Sequence, residues 1–144
     1  MDKEKRYYNY QKFDFVRYNG QICEVRGVLD SFGINLCDKD GNEYKDVYVL
    51  DVEPIELTID ILEEIGYKYT DLFQNYVLDY GGMYGMYTST FYPDDNKISI
   101  HSREYDVIKP NILCVHELQQ LFRLGWVNYE IIDWFIFKKL GMLE

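Results

Sequence analysis

Residues 13–50, FDFVRYNGQICEVRGVLDSFGINLCDKDGNEYKDVYVL, decide the fold. Residues 13–18 alternate apolar and polar, and Asn19-Gly20 follows them. That dipeptide suits a two-residue hairpin because both of its positions accept positive φ. Residues 21–29 form a second alternating run, with Cys23, Val25, Gly27 and Leu29 expected on one face. Asp30-Ser31 turns the chain into residues 32–37, and Asp40-Gly41 turns it again into residues 43–50. Four short strands joined by tight turns predict a small curled sheet of SH3-like proportions, closed off at Pro54.

Downstream of this module the signals change period. Thr58 suits a helix N-cap, Ile61, Leu62 and Ile65 make an apolar stripe, and Gly66 stands where a helix ends, so a helix is predicted over 58–65. A tyrosine-rich β region is expected over 67–80, a loop at Gly81-Gly82-Met83-Tyr84-Gly85, and strands over 86–92 and 97–102. Residues 111–124 read as the best helix in the chain. At 100° per residue Cys114, Val115, Leu118, Leu121 and Phe122 share one face, while His116, Gln119, Gln120 and Arg123 share the opposite one. Residues 130–137, EIIDWFIF, read as a last strand, and the run at 134–137 suits either a core or a homodimer seal. The predicted class is α+β: a flexible arm at 1–12, an SH3-like β-module at 13–54, and a domain at 55–144 whose C-terminal helix packs on an antiparallel sheet.

Charge narrows the function classes. The 144 residues carry 25 acids against 15 bases, a net charge of −10. Sequence-independent binding of DNA or RNA depends on Lys and Arg neutralising phosphates, so nucleic acid is not an expected partner. An anionic membrane surface is disfavoured on the same ground. Cys23, Cys37 and Cys114 are sparse, odd in number and without a CxxC pair, and no apolar stretch approaches the roughly 18 residues of a membrane span. Reduced thiols in a cytoplasm are therefore expected. The acids crowd together: residues 38–64 hold ten of them and two lysines. Such a belt reads as a solvated face, or as a surface for a basic partner.

Three patterns approach known chemistry and stop short. His116-Glu117 begins like a zinc-binding HExxH helix, but Gln120 stands where the second histidine would be, and the other histidine, His101, falls in a predicted strand. His116 is expected to be a partly exposed residue on a polar helix face. Asp38-Lys39-Asp40-Gly41 begins like a calcium loop, yet Gly41 is fourth rather than sixth and Val49 fills the twelfth place, which favours a hairpin turn. The loop at 81–85 lacks the Lys and Ser/Thr of a phosphate loop. Neither a cofactor nor a metal is expected. The candidate ligand or partner residues are Tyr80 and Tyr84 beside the glycine loop, for stacking, and His116, Gln119, Gln120 and Arg123 on the helix face.

Four motifs occur in a fixed order: VRYNGQICEVRGV, VEPIELTIDILEEIGY, KISIHS and CVHELQQLFRLGW. In that order they resemble a widespread group of small proteins from phages and integrated mobile elements of gut Bacteroidales. Members of that group carry an NG-x-I β-module, a PI-x-LT helix start and a VHELQ helix. The likeness spans most of residues 15–125. It departs at the tyrosine-rich N-terminal arm and at the longer, more apolar tail. It implies a bacterial cytoplasm as the setting and brings with it no catalytic residue. The expected function is a non-enzymatic binding protein that acts on a host or phage protein. Two alternatives stand beside it. One is a counter-defence protein sequestering a nucleotide signal between tyrosines and a basic set such as Arg103, Lys109 and Arg123. The other is a metal-dependent hydrolase using His101, His116 and Glu117.

Overall fold

The computed structural model describes residues 10–29, 32–81, 87–101 and 106–124, and in them the α+β class holds. Two five-stranded antiparallel sheets are joined by a short helix and closed by a longer one. The expected strand over 130–137 lies outside the described residues.

The first sheet is a meander of β1 (Phe15–Tyr18), β2 (Gln21–Val28), β3 (Gly33–Asp38) and β4 (Glu43–Tyr48). A single 3-10 turn, Val49–Asp51, then leads to a two-residue strand β5 (Glu53–Pro54) that pairs back on β1. The spatial order is therefore β4-β3-β2-β1-β5. The turn chemistry works as its residues require: Asn19 and Gly20 take φ of +50° and +76°, and Gly41 takes +85°. Asp38 organises the second turn, its carboxylate accepting from the N–H groups of Asp40 and Asn42, from Asn42 Nδ2 and from Tyr44 Oη. Those donors fill the carboxylate, and the hairpin reading of this segment is the one the geometry supports.

One expectation on β2 fails. A bulge between Val25 and Gly27 interrupts the period of two. Cys23 and Val25 stay in the core, but Leu29 emerges as an exposed residue. Cys23 and Cys37 are free thiols on opposite faces, since Cys23 pairs with Asp38 and Cys37 with Glu24. Burial, with Asp38 and Cys37 adding to it, pushes the Cys23 thiol up to about 11, so it carries no thiolate for nucleophilic chemistry.

Helix α1 (Ile59–Ile65) forms as read: Thr58 Oγ1 accepts from the Ile61 N–H, and Ile61, Leu62 and Ile65 are buried. Gly66 ends it at φ +124°, and a Cβ there would lie 3.0 Å from Leu78 Cδ1. Gly66→Ala is expected to cost about 1–3 kcal/mol. Denaturant titration checks this, and an unchanged midpoint would show that the cap tolerates a side chain.

The second sheet runs β10-β9-β8-β7-β6. The region expected as one β stretch over 67–80 is two strands, β6 (Lys68–Thr70) and β7 (Asn75–Gly81), because residues 71–74 turn, with Gln74 at φ +53°. β8 (Tyr87–Tyr92) and β9 (Lys97–His101) follow, and β10 (Asp106–Lys109) is a strand that sequence reasoning missed. Helix α2 (Val115–Leu124) begins four residues later than predicted. The preceding residues are extended instead: Leu57 N–H donates to the Leu113 carbonyl, Val115 N–H donates to the Ile55 carbonyl, and Glu56 bridges Cys114. Glu117 marks the helix start, accepting from the Leu113 and Cys114 N–H groups.

Two cores result. Val16, Cys23, Val25, Ile34, Leu36 and Val47 fill the first sheet. Leu78, Phe91, Ile98 and Ile100 of the second sheet pack with Leu118, Leu121 and Phe122 of α2 and with α1. Phe15 belongs to the second core although its neighbour Val16 belongs to the first. β1 therefore faces a core on each side, and its alternation joins the two sheets.

Candidate functional site

The helix face expected to be polar and partly exposed turns inward at His116 and Gln119, with Gln120 and Arg123 half-buried. His116 is 1% exposed and Gln119 is fully enclosed. The face meets the chain just before β1. The Phe15 N–H donates to Gln119 Oε1 at 2.8 Å, and Gln119 Nε2 donates to the Phe13 carbonyl at 3.0 Å. One side-chain amide thus satisfies the backbone on both sides of Asp14, as a neighbouring strand would. Phe13 is held here at φ +79°. That conformation costs a bulky residue about 1–3 kcal/mol, and it persists because both backbone groups are fixed: its N–H also donates to the Val25 carbonyl at 2.7 Å.

Asp14 is the functional-looking residue that sequence reasoning passed over. Its side chain is fully buried, and it accepts from the Gln11 N–H at 2.8 Å, Gln120 Nε2 at 2.7 Å and Arg123 Nη1 at 2.5 Å. Burial raises the Asp14 carboxyl above the ordinary carboxylate value, against the lowering effect of Arg123 and the hydrogen bonds. Glu24 is raised by burial as well, opposed first by Arg26 and then by Arg123. Tyr10, the first described residue of the expected arm, is itself buried and meets the His116 ring edge-on, with centroids 4.9 Å apart. The arm is thus anchored at Tyr10, ahead of the boundary drawn at residue 12.

Gln119, Gln120 and Arg123 are therefore brought together, with His116 beside them, but around the protein's own residues 10–15. The other candidates are dispersed. Tyr84 and Arg103 lie outside the described residues. Tyr80 lies in β7, near the end of the second sheet that leads toward the glycine loop. Lys109 pairs in register with Ile98 at the opposite end of that sheet and sits 3.9 Å from Glu117. Of the expected basic set, the two described members are held by different carboxylates, Lys109 by Glu117 and Arg123 by Asp14. His101 is exposed on β9 in contact with Asp106, far in environment from the buried His116. Among the described residues no group of three or more His, Cys, Asp or Glu side chains is arranged to hold a metal. Nor is any helix among them long and apolar enough to cross a membrane. No protein-family model, curated protein or solved structure matches the chain.

What is exposed differs in kind from what was expected. Val28, Leu29, Phe32, Tyr48 and Leu50 are 42–55% exposed. Backbone bonds bring them to one end of the first sheet: Leu29 N–H donates to the Gly33 carbonyl, Gly33 pairs with Tyr48, and Val49 N–H donates to the Phe32 carbonyl. A second, smaller exposure is the turn between β6 and β7, where Leu72 and Phe73 are 83% and 71% exposed. The patch on the first sheet has a physical origin in two devices. The bulge in β2 turns Leu29 outward, and the 3-10 turn holds Val49 in the core while presenting Leu50. A strictly alternating β2 would have kept Leu29 on the face of Cys23 and Val25.

Proposed function

We propose that this chain is a non-enzymatic binding protein that engages another protein through the open end of its first sheet, within the phage or mobile-element setting that its sequence resembles. We take the N-terminal unit to be an SH3-like barrel. The four-strand meander, the 3-10 turn and the short fifth strand returning to β1 support that assignment. The buried helix face supports a structural task for Gln119, Gln120 and Arg123, which leaves the second domain as the platform on which the first is mounted.

The observation that carries this reading is the gathering of Val28, Leu29, Phe32, Tyr48 and Leu50 at one end of the first sheet. Apolar surface gains about 25 cal/mol per Å² on leaving water, so covering these side chains with an apolar partner surface is favourable. The test is capture from a bacterial host lysate by the immobilised protein, compared with a Phe32→Ser/Leu50→Ser variant of unchanged melting temperature. A discrete protein retained by the wild type and lost by the variant is the expected result. Equal retention by both, or none by either, would overturn the proposal.

A further inference from the structure

Resting on the binding reading above, we infer that the partner of the first sheet's open end is a polypeptide segment that carries apolar anchors flanked by lysine or arginine. The anchors follow from the patch. Phe32 and Leu50 are large, exposed and linked through the bond from Val49 N–H to the Phe32 carbonyl at 2.7 Å. Aromatic and aliphatic anchors that exclude water supply most of the energy in such contacts.

The flanks follow from charge. Tyr48 and Leu50 lie inside the acidic segment 38–64, and Val28, Leu29 and Phe32 precede it. Asp51 is adjacent to Leu50 in the 3-10 turn, Asp46 lies two residues before Tyr48 on β4, and Glu53 follows on β5, all exposed. Lys45 on β4, Arg26 on β2 and Arg17, the register partner of Glu53, are the opposing charges nearby, and Arg26 is already paired with Glu24. The rim adjoining Leu50 is carboxylate on its downstream side, where Asp51 and Glu53 stand two positions apart. A segment with acidic flanks would meet like charge there, whereas basic flanks gain attraction and faster association, both weakened by salt. Neither Asp51 nor Glu53 takes part in the Asp14 clamp.

Two synthetic peptides test this with the full chain. They share the same leucines and phenylalanines, and one carries lysines where the other carries glutamates. In fluorescence anisotropy at low salt the lysine peptide is expected to bind at least about tenfold tighter, with the advantage shrinking as salt is raised. The chain's overall charge of −10 would also attract a basic peptide, so two variants of equal charge change separate rim from bulk. Asp51→Lys/Glu53→Lys is expected to abolish the preference. Asp94→Lys/Asp95→Lys, in the turn between β8 and β9, is expected to leave most of it. Equal effects of the two variants, or no preference between the peptides, would overturn the inference. Loss of lysate capture in Phe32→Ser/Leu50→Ser would still stand in that case, so the two proposals fail separately.

Discussion

Asp14→Ala is expected to lower the free energy of unfolding by about 3–5 kcal/mol, the usual cost of removing one partner from a buried charge pair. The loss is larger than the contact itself is worth. The Arg123 side chain is 16% exposed and would keep its charge without its nearest carboxylate, and Gln120 Nε2 and the Gln11 N–H would each lose an acceptor. Urea titration followed by circular dichroism reads the change. Asp14→Leu combined with Arg123→Met is expected to recover most of it, because an apolar pair of similar volume leaves no charge to desolvate. A loss below about 1 kcal/mol in the single variant would mean that the pair behaves like a surface ion pair and does not hold α2 to the chain before β1.

The same variant makes a signed statement about pH. Burial raises the folded-state pKa of Asp14, so the folded protein binds a proton more tightly there than the unfolded chain does. The contribution of this group to stability is therefore greatest below the ordinary carboxylate value and declines as pH rises through the raised folded value. Asp38 acts in the opposite sense. Burial would raise it, but bonds from Asn42, Tyr44 and Asp40 outweigh that and hold it low, so its stabilisation is present at neutral pH and is lost as pH falls through its lowered folded value. Because Asp14→Ala removes the first contribution and leaves the second, its deficit relative to wild type is expected to widen on mild acidification. A deficit that narrows instead would show that Arg123 dominates the environment of Asp14.

Local chemistry was legible in the sequence, and the pairing of distant polar residues was not. Asn19-Gly20, Asp40-Gly41, Thr58 and Gly66 each impose a backbone state on their own neighbours, so the hairpins and α1 fall where those residues stand. The apolar stripe of α2 is equally local, and Cys114, Val115, Leu118, Leu121 and Phe122 are all buried. The opposite face misled because amphipathicity assigns polar residues to water by default. Here their water is replaced by Asp14 and the Phe13–Phe15 backbone, more than a hundred residues away in the chain. One signal was available. Asp14 interrupts the run Phe13, Phe15, Val16, and a carboxylate in so apolar a stretch requires either solvent or a buried partner. The exposed patch was hidden for a different reason, since the β2 bulge that turns Leu29 outward leaves no mark in the alternation it breaks.

Phe122→Ala is expected to be the most damaging single truncation among the described core residues, at about 3–5 kcal/mol. Phe122 is fully buried on α2, in the cluster that joins the second sheet, α1 and Phe15 of β1. Domains of this size have about 5–15 kcal/mol in total, so the variant would retain only part of its stability. The manner of its unfolding is the more informative measurement. Because β1 sends Phe15 into this cluster and Val16 into the first-sheet core, loosening the cluster also removes the support on one side of the first sheet. Hydrogen exchange in Phe122→Ala is therefore expected to accelerate at Val16, Val25 and Leu36 along with Ile98 and Ile100, as one cooperative unit. Protection that persists in the first sheet while the second exchanges would show that the N-terminal module stands alone. The Asp14 clamp would then serve only to dock two independently stable domains, and a binding surface on the first sheet would not depend on the second for its shape.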